Sequence, residues 1–259
     1  MTARIRFEGI DNFRDFGGYA TADGRRLRSG RLFRSGHHAN ASEGDLQALA
    51  DLGISVIVDL RRPNERERER SRRWSGFSGT VIDSDIGLQS ADEWQVFIAG
   101  SDLTPASFRA YMLEYYRAAP LEPRHVDLYR RFFHALAETD GAVLVHCTAG
   151  KDRTGVACAL THHIAGVHDD DIIHDYLLTN DPARIEARVG FIQQAIRDNT
   201  GRMPTEEAVR VAISVEAEYL AQAFEVMRSR FGSIDGYLEE ALDVNGELRA
   251  RIHDRLLST

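Results

Sequence analysis

The sequence predicts an α/β fold in one domain: a central, mostly parallel sheet flanked by helices, with a helical C-terminal layer or lid. Three observations carry this. Short β-branched runs recur at 54–60 (ISVIVDL), 79–84 (GTVIDS) and 141–147 (GAVLVHC). Amphipathic helical patterns lie between and around them, and after residue 155 the chain reads as nearly all helix. No internal repeat and no long Gly/Ser or Pro linker divides the 259 residues, so one domain spans 1–259.

The elements follow in order. SEGDLQALADLG (42–53) opens on a Ser that suits a helix N-cap and closes on Gly. The runs at 54–60 and 79–84 are bounded by turn residues or charge, as buried strands of a parallel sheet are. PRHVDLYRRFFHALAETDG (123–141) places apolar residues at 126, 128, 129, 132, 133 and 136, with Gly141 as its stop. The strand at 141–147 follows. The helical tail begins with TGVACALTHHIAG, then DDDIIHDYLLTN, whose three aspartates suit a helix N-terminus. DPARIEARVGFIQQAIRDN has Pro at a first helical position. The helical stretches 204–232 and 234–257 complete the layer. Residues 180–232 are a candidate lid over a site.

Composition narrows the function. Hydrophobic content of 43% and charged content of 28% fit a globular protein. A net charge of −8 argues against general nucleic-acid binding. Two cysteines make no disulfide framework, which points to a reducing compartment. The N-terminus lacks the apolar core of an export signal, and no run approaches the roughly 20 apolar residues of a membrane span. The expectation is a cytoplasmic protein with no integral membrane segment, with non-classical export left open. Its oligomeric state is not legible.

The chemistry concentrates in VLVHCTAGKDRTG (143–155). The strand delivers Cys147 at its carboxyl end, where ligands bind in open α/β sheets. Residues 148–152 turn back and a helix begins near Arg153. Successive loop N–H groups pointing inward make an anion nest, and the helix adds its positive end. Five residues between Cys147 and Arg153 form a ring about the size of a phosphate. Arg153 closes it with bidentate bonds to two phosphate oxygens. The same field favours the Cys147 thiolate, a nucleophile in line with phosphorus. Thr148, Ala149, Gly150, Lys151 and Thr154 complete the phosphate site, with the Thr154 hydroxyl placed to help sulfur leave. His146 sits behind Cys147 and orients the loop through backbone hydrogen bonds. A lone cysteine after an apolar strand is more often a small core residue. Here Gly150, Thr154 and Gly155 all fit the functional pattern as well.

HCTAGKDRTG resembles the active-site loop of the protein tyrosine phosphatase superfamily. Its Lys151-Asp152 pair is similar to a bacterial and fungal branch with a secreted mycobacterial member acting on phosphotyrosine and phosphoinositides. NFRDFGGY (12–19), LFRSG (32–36) and LGISVIVDLR (52–61) resemble that branch in sequence and order. The likeness runs from about residue 10 to 180. It implies phosphate-monoester hydrolysis through a phosphocysteine, on phosphoprotein or phosphoinositide, with neither cofactor nor metal.

The leaving oxygen needs a general acid. The Trp-Pro-Asp sequence that many relatives use is missing: Trp74 and Trp94 begin no such motif. That leaves Asp152, inside the loop, as the resemblance also implies. A carboxylate that merely holds the loop is its alternative role. Asp59, Asp83 and Asp85 are rival acids, each more simply a structural loop carboxylate. Lys151 adds charge at the loop rim that a polyphosphorylated head group could use, or it is simply solvated.

Other features weigh less. RRLRSGRLFR (25–34) packs five arginines that border the site or are solvated. Arg14 and Asp15 are candidates to brace the loop. The alternating charges of 64–74 read as a solvated helix face. The pairs His37-His38 and His162-His163 lack helical metal-site spacing, and Cys158 reads as core. Two rivals to the phosphatase remain: a non-catalytic phosphate-binding module, and a thiol enzyme of the rhodanese or arsenate-reductase type.

Overall fold

The computed structural model describes residues 7–87 and 92–258. The first residues of the segment read for an export signal lie outside them. In chain order the elements are β1 (Arg14–Asp15), β2 (Arg26–Leu27), β3 (Leu32–Ser35), α1 (Glu43–Ala50), β4 (Ile54–Asp59), α2 (Pro63–Arg68) and β5 (Thr80–Ile82). Then come α3 (Glu93–Gly100), α4 (Pro105–Ala118), α5 (Pro123–Glu138), β6 (Ala142–His146), α6 (Asp152–Ala165) and α7 (Asp169–Leu177). The chain continues through α8 (Pro182–Thr200), α9 (Glu206–Ile213), α10 (Ala217–Phe231), α11 (Ile234–Glu240), α12 (Gly246–Leu256) and β7 (Leu257–Ser258).

The sheet runs β1-β3-β6-β4-β5. β3, β6, β4 and β5 are parallel and only the edge strand β1 is antiparallel. β6 is central, and all five of its residues are buried. Its side chains alternate between two cores, as a period of two requires. Val143 and Val145 face the large core of α5, α6 and the C-terminal helices. Ala142 and Leu144 face the smaller core with Leu46 and Leu49 of α1.

Helix ends follow the local chemistry. Ser42 caps α1 in a reciprocal box with Asp45. Asp169, Asp170 and Asp171 fill the first turn of α7. The helical stretch 204–232 is two helices, α9 and α10. At the break, the Asn180 side chain accepts from the Val215 N–H at 2.8 Å and donates to the Val215 carbonyl at 2.7 Å. A side-chain amide thus replaces helix hydrogen bonds at that residue. Gly141 is not the stop of α5, which ends at Glu138 with Thr139 as its C-cap. It is small because a Cβ there would meet the Ser55 hydroxyl at 2.3 Å.

The segment 180–232 divides by packing. α8 and α9 join α3 and α4 in a third apolar cluster that includes Ile98, Phe108, Val189, Ile196, Val209 and Ile213. α10 instead puts Tyr219, Leu220, Ala223 and Met227 into the large core. Among the described residues, no helix is long and apolar enough to cross a membrane.

Candidate active site

The register brings three polar residues into line under the loop. Ser35, His146 and Asp59 pair side by side at the carboxyl ends of β3, β6 and β4. Asp59 holds Arg61 through Nε (2.9 Å) and Nη2 (2.7 Å) and lies 3.6 Å from His146 Nε2. The His146 ring packs tilted against His38, centroids 4.6 Å apart, and its Nδ1 lies 3.3 Å from the Cys147 carbonyl oxygen. This matches the bracing expected of His146. Burial pushes its imidazole down to about 4, against the pull of Asp59 and with help from Arg61, so it is a neutral brace.

Cys147 follows β6 and is 2% exposed. The loop after it is pinned from outside. Asn12 Nδ2 donates to the Gly150 carbonyl at 2.8 Å, and Arg34 Nη2 donates to the same oxygen at 3.0 Å. Arg34 and Arg14 share Asp175, at 2.9 Å and 3.3 Å, in a cluster almost closed to water. Burial opposes the Asp175 charge, yet the two arginines hold its carboxyl below the usual range. Gly150 has φ +63°, and a Cβ there would meet the Ser35 backbone at 2.4 Å, so only glycine fits. Of the pair expected to brace the loop, Arg14 does so through Asn12 and Asp175. Asp15 does not: it accepts from the Gly17 N–H in its own turn and from the Gly30 N–H. Of the basic run 25–34, Arg34 supports the loop, while Arg31 and Arg28 bind the carbonyls of Asp140 and Leu257 elsewhere.

Arg153, in the first turn of α6, is held from behind. Its Nη1 and Nη2 donate to the two oxygens of Glu65 at 2.5 and 2.8 Å. Nη1 also reaches the Leu60 carbonyl at 3.2 Å, and Tyr129 donates to the Arg153 carbonyl at 2.9 Å. Glu65 also accepts from the Thr148 hydroxyl, tying the start of the loop to its end. Burial opposes the Glu65 charge, but Arg153 holds its carboxyl well below the usual range. Glu65 belongs to the 64–74 segment expected to be a solvated face. That reading fails at this residue, because α2 turns Glu65 toward the loop, where it pairs with Arg153, while Glu67 and Arg68 stay exposed. Glutamate in a charge-alternating run carried no sequence signal for this role.

The loop floors a cavity of about 490 Å³ whose lining includes Thr148, Ala149, Lys151, Asp152 and Arg153. Its walls are apolar and aromatic, with Trp94, Tyr111 and Met112 on one side and Phe191 and Ile192 of α8 on another. Asp152 lines the cavity, whereas Asp59, Asp83 and Asp85 do not. Asp83 and Asp85 pair with Arg66. Lys151 is not at a solvent-facing rim: it is 4% exposed. Its Nζ donates to the Ala212 and Ser214 carbonyls at the end of α9, at 2.5 and 3.2 Å, and lies 3.5 Å from Asp152 Oδ1. Burial lowers its pKa, against the pull of Asp152. Thr154 Oγ1 is buried and, among the described residues, has no hydrogen-bond partner. Cys158 is core, and burial pushes its thiol up to about 12.

The sequence model of a family described as "Tyrosine phosphatase family" matches residues 5–258. A Cupriavidus necator protein provisionally named a tyrosine-protein phosphatase is 36% identical over 93% of this chain and 85% of its own. The Mycobacterium tuberculosis triple specificity protein phosphatase PtpB is 32% identical over 90% of this chain and 92% of its own. The crystal structure of Pseudomonas aeruginosa TpbA overlaps 78% of this chain and 94% of its own, at 17% identity and a TM-score of only 0.30.

Proposed function

Because the chain belongs to the tyrosine phosphatase family, a family of phosphoric monoester hydrolases, we propose that it works by cysteine-dependent covalent catalysis. Cys147 attacks phosphorus in line and forms a phosphocysteine, which water then hydrolyses. The reading rests above all on how Arg153 is held. Glu65 takes the end of the guanidinium, using one hydrogen of each Nη. The side face, Nε with the second hydrogen of Nη2, is left for two phosphate oxygens, apart from a weak 3.3 Å contact to Thr148. A planar fork can serve a carboxylate behind and a phosphate in front at once.

The other roles follow. N–H groups of residues 148–153 stabilise the equatorial oxygens through the transition state. Asp152 protonates the leaving oxygen. Thr154, a buried hydroxyl without a partner among the described residues, donates to sulfur as the phosphocysteine breaks. Residues 182–213 form a helical cover held to the loop by Lys151.

The aromatic wall favours an aryl phosphate, so phosphotyrosine in protein is the proposed substrate. Lys151 is committed to α9, which weakens the case for a polyphosphorylated head group. Phosphoinositides therefore enter the test as a comparison. Phosphate release is measured on phosphotyrosine and phosphoserine/threonine peptides and on short-chain phosphoinositides, in EDTA with reductant, for wild type and Cys147→Ser. The proposal expects preference for phosphotyrosine and loss of all turnover in the variant. Binding without turnover on any member would make the chain a phosphate reader.

A further inference from the structure

Asp152 is held by a chain of two buried tyrosines. Tyr176 donates its hydroxyl hydrogen to the Tyr116 oxygen at 2.7 Å, and Tyr116 donates to Asp152 Oδ1 at 2.9 Å. Each phenol has one hydrogen. Tyr116 accepts from Tyr176, so its single hydrogen is free for Oδ1. Both rings are essentially inaccessible, at 0% and 1% exposure. Tyr116 sits between Tyr176 and Tyr219, stacked on the latter at 5.7 Å. Its hydroxyl therefore cannot swing elsewhere. Burial first, and the Asp152 charge second, keep Tyr116 a neutral phenol and hence a donor.

The consequence lies at the other oxygen. Oδ1 receives Tyr116 and faces Lys151 Nζ at 3.5 Å. Among the described residues, no donor reaches Oδ2, while the Asp152 side chain lines the cavity. From this asymmetry we infer that Tyr116, backed by Tyr176, is a positioning residue that fixes which oxygen of Asp152 carries the proton. The inference rests on the proposed role of Asp152 as general acid. In the step, the S–P bond forms and the P–O bond breaks, its electron pair passing to the leaving oxygen. That oxygen takes the proton from Oδ2, and Asp152 becomes a carboxylate. The Tyr116 hydrogen bond strengthens as charge grows on the carboxylate, since charge-assisted bonds are the stronger ones. Tyr116 touches no reacting atom and acts only through Asp152.

The test is Tyr116→Phe, which keeps the ring and removes the hydroxyl. Melting is measured alongside, and Tyr176→Phe serves as a milder variant whose effect has the same sign and smaller size. With a poor leaving group such as phenyl phosphate, kcat should fall about 5- to 10-fold, the difference between a hydrogen bond to the charged carboxylate and one to its neutral form. With a fluorinated aryl phosphate that needs no acid, kcat should be unchanged. Removing a donor from a carboxylate favours its protonated form. The alkaline limb of the kcat profile should therefore move up by about one pH unit. In an Asp152→Asn background, Tyr116→Phe should have no further effect on either substrate. Equal loss on both substrates with an unmoved limb, or a persistent effect in the Asp152→Asn background, would overturn the inference and leave Tyr116 as packing. The Asp152→Asn variant alone reports separately on the premise: if it does not discriminate between leaving groups, Asp152 is not the acid and the inference falls with it.

Discussion

Glu65 gives the sharpest test of how Arg153 is aimed. Replacing it with Gln keeps the volume and removes the charge. Two charge-assisted bonds from Arg153 are affected, with that from Thr148 and one from the Arg62 N–H. A Gln oxygen still accepts from one Nη, but its NH₂ then faces the other Nη, donor against donor. Breaking a buried pair by removing one partner costs about 3–5 kcal/mol. These side chains are 12% and 14% exposed, so water recovers part of that and about 2–3 kcal/mol remains. For a chain of this size, this lowers the melting temperature by roughly 4–12 °C. An Arg153 no longer held from behind loses its side-on approach to phosphate. Loss of one preorganised donor to a developing anion costs about 10²–10³ in rate. The assay is kcat and KM on an aryl phosphate, with melting recorded on the same preparations. Glu65→Gln should lose about 10²-fold in kcat/KM, and Glu65→Asp, which keeps the charge on a shorter arm, should lie between. Wild-type kcat/KM in Glu65→Gln would refute the reasoning, because Arg153 would then be aimed without its partner.

Further outcomes follow from the same geometry. Asp152→Asn should slow turnover of poor leaving groups strongly and of good ones weakly, measured across a series of substituted phenyl phosphates; a uniform loss would remove Asp152 as the acid. Gly150→Ala combines a left-handed backbone with a Cβ 2.4 Å from the Ser35 backbone, so it should abolish phosphate binding and cost at least about 1–2 kcal/mol of stability, read by calorimetry with and without phosphate. Stability should fall on acidification well before the carboxylates titrate. His146 titrates near 4 when folded but about 6.5 when unfolded, so between those values only the unfolded chain holds the proton. That proton uptake favours unfolding by roughly 3 kcal/mol by the lower end of the window. His38, His125 and His162 are shifted down by burial too and add in the same direction. Denaturant titrations at pH 7 and pH 5 should show this loss, and equal midpoints would contradict it.

Much of this was legible because local pattern and tertiary role coincide. The runs 54–60 and 141–147 are strands since a sheet covered on both faces needs continuous β-branched stretches, and β4 and β6 fill that place. Ser42, Asp169–Asp171 and Pro182 sit at helix starts for reasons that lie within one turn. The Cys147–Arg153 loop was legible because its spacing is itself the shape of the site. What was not legible depends on distant partners. β3 is four residues with a buried Arg34, whose reason is Asp175 on α7, 141 residues away. Helices α3 and α4, unassigned in sequence, are fixed by packing on α8 and α9. The break before α10 depends on Asn180, 35 residues earlier. Glu65 and Tyr116 look like a surface charge and a core aromatic until Arg153 and Asp152 are placed beside them. Lys151 misleads in the opposite sense: its position in the loop suggests a ligand for substrate, and its amine is spent on the end of α9.

A phosphocysteine formed on Cys147 during turnover can be trapped by rapid acid quench. Wild type is mixed with an aryl phosphate and quenched during turnover, and its peptides are weighed by mass spectrometry. One phosphoryl group is expected on the peptide that contains Cys147, and none in Cys147→Ser. Full turnover with no phosphoryl group on that peptide, or turnover that survives Cys147→Ser, would contradict covalent catalysis by Cys147.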